Sequence, residues 1–236
     1  MSLLIVGCAH KEAKVNVPPP PGLSQPETPQ ASKDSETAAE SIPNEPPQVA
    51  VPEKPLMVET GLASWYGAPY DHRRASNGEV YDMHAMTAAH RTLPMGSIVR
   101  VTNVKTGNSA VVRINDRGPF IQGRILDLSE AAAKKVDVWS AGVAMVRIEL
   151  LQTPVPVSSA GRWAVQIGAF EKEHTADQLA NRLSRRYQTA KVLCFGSPVG
   201  DWWVRVRVQG DDRQRAESVV RETHTSEGEI FLVRLD

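Results

Sequence analysis

Residues 109–128, SAVVRINDRGPFIQGRILDL, decide how this chain is read. The first half alternates. Val111, Arg113 and Asn115 point one way and Val112 and Ile114 the other, with β-branched residues throughout, as a half-buried strand requires. The strand stops at Asp116, because Asp-Arg-Gly-Pro is turn chemistry. A second short strand, Arg124 to Leu128, follows. One carboxylate is thereby held at the rim of a sheet, between Asn115 and Arg117. An acid on a loop braced by a rigid scaffold suits catalysis. An aspartate that only caps its own turn has the same sequence signature, and this stretch alone does not separate the two.

Working outward, Lys105-Thr106-Gly107-Asn108 reads as a hairpin turn back to a strand at Ile98 to Asn103. Further upstream lie Leu93-Pro94, the short segment Met86 to Arg91, Glu79-Val80-Tyr81-Asp82, a loop of turn residues from Ala68 to Gly78, and strand-like GLASWYG ending at Gly67. Downstream, Ser129 to Val136 reads as a short helix. Ser129 is its N-cap, Glu130 suits its positive end, and Lys134 and Lys135 suit its negative end. Val143 to Leu151 closes the unit as a strand. Many short strands with one short helix, from Val58 to Thr153, predict a small β-barrel.

The rest of the chain has a different character. After a linker at 154–160, residues 161–236 carry a weak repeat offset by 40 residues: strand then helix at Trp163 to Leu183, and again at Trp203 to Thr223. A β-α-β-β-α-β plan follows. Thr175 with Gln178 reads as a capping box. Leu179, Leu183 and Tyr187 share one helix face, and Ala216, Val219 and Val220 share another, so both helices cover one side of the sheet. Val204, Val206 and Val208 belong on that side. The other side is expected to be bare and to present Gln166, Phe170, Trp203, Arg205 and Arg207. A solvated face with a few exposed aromatics is the plainer reading. Cys194 reads as a buried strand residue.

Residues 9–57 form a linker. Eleven of the 17 prolines lie between Pro18 and Pro55, with no aromatic among them, a composition that cannot bury a core. Residues 1–8 end in Gly7-Cys8 after the apolar run Leu3 to Val6. They resemble the end of a bacterial lipoprotein signal, with Cys8 as the lipidated residue, although no Lys or Arg precedes it. Ala9 does not resemble the inner-membrane retention signal, which points to the outer membrane. Formal net charge is zero, so no global field draws nucleic acid or anionic membrane.

Five segments carry a family resemblance: ASWYG at 63–67, ASNGEVYDM at 75–83, MTAAHRTLP at 86–94, VRVTN at 99–103 and VVRINDRGPF at 111–120. Together they resemble rare lipoprotein A, the septal-ring lytic transglycosylase family. The resemblance implies a double-psi β-barrel related to expansins. Its implied substrate is peptidoglycan, cut between N-acetylmuramic acid and N-acetylglucosamine. It places the catalytic acid at Asp116, a second carboxylate at Glu79, and supporting polar groups at Asp82 and His90. WAVQIGAF at 163–170 resembles the first strand of a SPOR domain, the septal peptidoglycan-binding module. Such domains bind glycan strands stripped of stem peptides on the open sheet face. The expected fold class is therefore mainly β followed by α+β, a double-psi barrel and then a SPOR domain.

The chemistry can be weighed separately. Breaking a glycosidic bond needs an acid for the leaving oxygen, and a hydrolase normally adds a second carboxylate. A lytic transglycosylase recruits the C6 hydroxyl of the muramic acid instead of water, so one group can act first as acid and then as base. An acid that works near neutral pH needs burial or a like charge beside it, for which Glu79 is the candidate. Arg117 should point away by alternation. Trp65, Tyr66, Tyr70 and Tyr81 either stack on sugar rings or fill the core, with Tyr66 the substrate-binding candidate. His72, His84 and His90 match no metal-ligand spacing, so neither metal nor cofactor is expected.

The enzyme reading makes the chain a monomeric outer-membrane lipoprotein, facing the periplasm and enriched at the septum. The alternative is a non-catalytic, expansin-like glycan binder. RNA binding fits Trp203 with Arg205 and Arg207, but the RNP signature is absent and 12 basic residues balance 11 acidic ones in the last unit.

Overall fold

The computed structural model describes residues 54–157, 161–197, 200–225 and 228–236. Cys8 and the proline-rich segment as far as residue 53 lie outside the described residues.

Six strands form the first domain: β1 (Met57–Trp65), β2 (Thr87–Ala89), β3 (Ile98–Asn103), β4 (Ser109–Asp116), β5 (Arg124–Leu128) and β6 (Ala144–Gln152). They close into a barrel in the order β1-β5-β2-β4-β3-β6. β1 runs parallel to β5 and antiparallel to β6, which seals the cylinder. The alternation read in β3 and β4 is realised. Val99, Val101, Val112 and Ile114 point inward and meet Leu126, Leu128, Val146, Ile148 and Leu150, all essentially without exposed surface. Each such side chain contributes about 1.5–3 kcal/mol on burial. β2 sits between β4 and β5, and its Thr87, Ala88 and Ala89 are all buried. Helix α1 (Glu130–Lys135) lies against the barrel, with Ser129 Oγ accepting from the Ala132 amide at 3.2 Å as its cap.

The second domain contains β7 (Trp163–Phe170), α2 (Glu173–Arg186), β8 (Lys191–Gly196), β9 (Trp202–Arg207), α3 (Arg213–Glu222) and β10 (Glu229–Arg234). Its sheet order is β10-β7-β9-β8. Val165, Ile167, Val204 and Val206 pack with Leu179, Leu183, Ala216 and Val219 from the two helices, as expected.

Three expectations need correction. The capping box at Thr175 and Gln178 does not form. α2 starts at Glu173 after Lys172 with no side-chain cap, and Gln178 Nε2 instead lies 2.9 Å from His174 Nε2. β7 ends at Phe170, so the chain turns into the helix before Thr175 is reached.

Phe170 is not on the bare face but in the core, 1% exposed. Between Ile167, paired with Val204, and Phe170, paired with Trp202, β7 carries one residue more than β9. This bulge reverses the alternation. Gly168 stands in it because an added Cβ would lie 2.6 Å from Trp203 Cε3, at a φ of +151°.

The helix-free face itself is covered by the barrel. The Phe120 ring, from the loop between β4 and β5, lies 5.3 Å from Trp203 and 5.8 Å from Phe231. The Arg91 guanidinium sits 5.4 Å from the Phe231 ring, and the Arg234 amide donates to the Arg91 carbonyl at 3.0 Å. Gln166 and Trp203 are consequently buried, at 3% and 9% exposure.

Candidate active site

The barrel rim and the second sheet enclose a cleft of about 600 Å³. Its geometry follows from the central position of β2. Ala89 is in register with Asp116 on one side and Asp127 on the other. Two strand spacings put those backbones about 10 Å apart, and both residues line the same cleft. Only the Ala89 methyl stands on the strand between them. The loop after Asp116 crosses above, so close that a Cβ on Gly118 would meet Ala89 Cβ at 3.7 Å and Asp127 Oδ2 at 3.8 Å.

Asp116 is held by donors on a single oxygen. Its Oδ1 accepts from the Ser76 amide at 2.8 Å, from its neighbour Arg117's amide at 2.7 Å, and from Ser76 Oγ. These bonds fix the carboxyl and leave Oδ2 uncommitted among the described residues. The Arg117 side chain turns away, as alternation predicts. Its guanidinium donates to the carbonyls of His90, Leu93 and Asp236 at 3.0, 2.8 and 2.6 Å. Burial pulls the Arg117 pKa down to about 10.

Asp127 was not singled out from the sequence. Burial pushes its carboxyl up to about 6, and the Asp116 charge acts in the same direction. Arg124, 3.2 Å from Oδ2, and Arg91 oppose the rise without cancelling it. Asp127 Oδ1 is buried and has no hydrogen-bond partner among the described residues. A carboxyl with an unmatched buried oxygen is suited to carrying a proton. The available signal was a lone acid inside the otherwise apolar run Ile125-Leu126-Asp127-Leu128.

Glu79, Asp82 and His90 are not among the residues that line the cleft. Glu79 is closed into a two-pronged pair with Arg113, both bonds 2.9 Å, and the Arg113 guanidinium holds its carboxyl below the usual range. It braces the 75–80 loop on β4 and is not the bare like charge expected beside Asp116. Asp82 Oδ1 accepts from the His84 amide at 2.8 Å, a local turn. His90 is buried. Its Nδ1 accepts from the amides of Thr92 and Leu93 at 3.2 and 3.0 Å, which leaves the proton on Nε2, 3.3 Å from Glu59. Burial lowers the His90 pKa. Tyr66 lines the cleft, with its ring 4.5 Å from that of Tyr81, and burial keeps its hydroxyl protonated.

From the second domain, Gln166, Trp203 and Arg205 line the same cleft. Arg207 does not join them and pairs with Asp211 at 2.6 Å. Phe170 lies in the core. Among the described residues no group of three or more His, Cys, Asp or Glu is placed to hold a metal ion.

Comparison with known proteins agrees with this architecture. Residues 58–148 match the family described as lytic transglycolase, and residues 159–226 match the SPOR domain. Fold and matches together define the class as a double-psi β-barrel of the lytic transglycolase type followed by a SPOR domain. Over 98 residues the chain is 58% identical to the endolytic peptidoglycan transglycosylase RlpA of Vibrio cholerae, covering 42% of this chain and 37% of that one. It is 45% identical over 131 residues to the protein of the same name from Neisseria meningitidis, covering 55% of each. The Helicobacter pylori counterpart is 40% identical over 151 residues, covering 52% of this chain and 48% of that one. Over these stretches the chain is similar to the RlpA transglycosylases, and the residues that follow the barrel are similar to the SPOR domain. The matches span between 37% and 55% of these relatives' own lengths.

Proposed function

We propose that the chain is an endolytic peptidoglycan lytic transglycosylase. It cuts the bond from N-acetylmuramic acid to N-acetylglucosamine in glycan strands that lack stem peptides. The observation that carries this reading is the pair Asp127 and Asp116, flanking Ala89 in one cleft with Asp127 raised to about 6. Asp127 enters protonated and donates to the glycosidic oxygen as the C1–O bond breaks. Asp116, steadied by three donors, faces the positive charge that develops on the muramic ring. The C6 hydroxyl then attacks C1 and returns its proton to the Asp127 carboxylate. No water is consumed, and the product ends in a 1,6-anhydro ring. The names of the relatives support the substrate class. On this reading the protein works in the bacterial cell envelope at the division septum, anchored to the outer membrane through Cys8. Among the described residues no helix is long and apolar enough to cross a membrane.

The test is incubation with purified sacculi, with and without stem peptides, followed by mass spectrometry of the released fragments. Fragments ending in 1,6-anhydromuramic acid, lost in Asp127→Asn, are expected. Reducing ends would make the protein a hydrolase. Binding without release would make it a glycan-binding protein.

A further inference from the structure

Trp139 is 45% exposed, although the chain around it is firmly held. Val136 and Val138, on either side, are buried in the barrel core. The Val138 and Trp139 amides both donate to the Ala133 carbonyl, at 2.9 and 3.2 Å, and Asn103 Nδ2 donates to the Val136 carbonyl at 2.9 Å. The backbone is thereby fixed, and the indole is displayed outward from a rigid support. It is not a scattered apolar side chain of the ordinary kind. The Trp65 ring lies 6.3 Å away at an interplanar angle of 37°, and the Lys134 ammonium sits 5.2 Å from the Trp139 ring centre. Trp65 itself packs against the barrel core and also lines the cleft. Gly67 passes so close that a Cβ there would lie 3.0 Å from Trp65 Cζ3, which holds that ring in place. The two indoles, one in the cleft and one just outside it, form a continuous aromatic surface.

Strand order gives this surface a direction. Asp116 stands on β4, Ala89 on β2, Asp127 on β5 and Trp65 at the end of β1, and these four strands are successive neighbours. Trp65 is in register with Leu128, the residue after Asp127. The aromatic surface therefore begins one strand beyond Asp127, on the side away from Asp116. A polysaccharide that crosses the acid pair and leaves on the Asp127 side meets Trp65 and then Trp139. The C–H face of a pyranose ring suits a flat indole, whose electron-rich face attracts those hydrogens. The Lys134 ammonium is placed to donate to ring hydroxyls. Resting on the transglycosylase reading, we infer that Trp65 and Trp139 form a further subsite, which stacks an N-acetylhexosamine ring of the same glycan strand outside the cleft. Long strands fill it, and fragments that reach only the acid pair do not.

The experiment uses the full chain and peptide-free glycan sorted into long strands and short fragments. The wild-type kcat/KM should be higher on the long strands, and Trp139→Ala should reduce the long-to-short ratio about 3- to 10-fold. Trp139→Tyr keeps a flat ring and should retain most of the preference. Trp139→Leu keeps only apolar bulk and should lose it, which separates stacking from a packing defect. An unchanged ratio in Trp139→Ala, or a full preference in Trp139→Leu, would overturn the inference while leaving the transglycosylase reading intact. If neither glycan is cut, the transglycosylase reading falls, and equilibrium binding of the same two fractions decides the subsite. Long strands held more tightly by wild type than by Trp139→Ala would uphold it, and equal affinities would overturn it.

Discussion

Replacing Asp127 with Asn should abolish cleavage and stabilise the protein at alkaline pH but not at acid pH. In the unfolded chain this carboxyl titrates at about 3.9. In the fold, burial moves it to about 6. A raised carboxylate favours folding where it is protonated in the native state. The native state is therefore not penalised below the unfolded value, and loses stability as pH rises through the folded one. Fully developed, the penalty is about 3 kcal/mol. Part of it already exists at pH 4.5, where the unfolded carboxyl is mostly ionised, so about 2 kcal/mol separates pH 4.5 from pH 8. Asn cannot ionise and escapes the penalty. The pull of Arg124, 3.2 Å away, is already contained in the folded value and adds no separate offset to the difference between the two pH values. Urea unfolding of wild type and Asp127→Asn at both pH values isolates the effect. Relative to wild type, the variant should gain about 2 kcal/mol on going from pH 4.5 to pH 8. A gain of zero, or a loss, would show that Asp127 titrates normally and would remove the physical basis for its acid role.

Three other outcomes follow from the structure. Initial rates on peptide-free glycan should fall about tenfold per pH unit above pH 6, because only protonated Asp127 can act, and a flat profile from pH 5 to 8 would contradict this. Arg117→Met should lower stability by about 2 kcal/mol or more, since it orphans the carbonyls of buried His90 and Leu93, and a chemical melt reads the loss directly. Gly168→Ala should destabilise the second domain by at least about 2 kcal/mol, because its methyl meets the Trp203 ring at a left-handed φ. An unchanged melting temperature for Gly168→Ala would mean that the bulge relaxes at little cost.

Local patterns were the most legible part of the sequence. β3 and β4 were read from alternation, and α1 from its Ser129 cap, because each depends on residues a few positions apart. The closure of β1 on both β5 and β6, and the burial of three-residue β2 between two longer strands, depend on distant partners. Phe170 was misplaced because one extra residue in β7 reverses the pleat, and nothing in WAVQIGAF except its glycine marks the position. The sheet face read as bare is bare only within its own domain. Phe120, which looks like an ordinary loop aromatic, covers it. Asp116 stood out because a turn follows it. Asp127 did not, because a lone acid in a short strand reads as solvent-facing until the neighbouring strands bury it.

The closed barrel bears on behaviour in concentrated solution. A sheet that returns on itself leaves no row of free amides and carbonyls to template another chain. The four-stranded sheet has two outer strands. One of them, β10, is engaged where the Arg234 amide reaches the Arg91 carbonyl. The other is β8, with partly exposed Leu193 and a single charged residue, Lys191, at its start. Self-association through strand pairing, when it occurs, should begin at β8, and a second lysine on its outward face is the substitution that would suppress it.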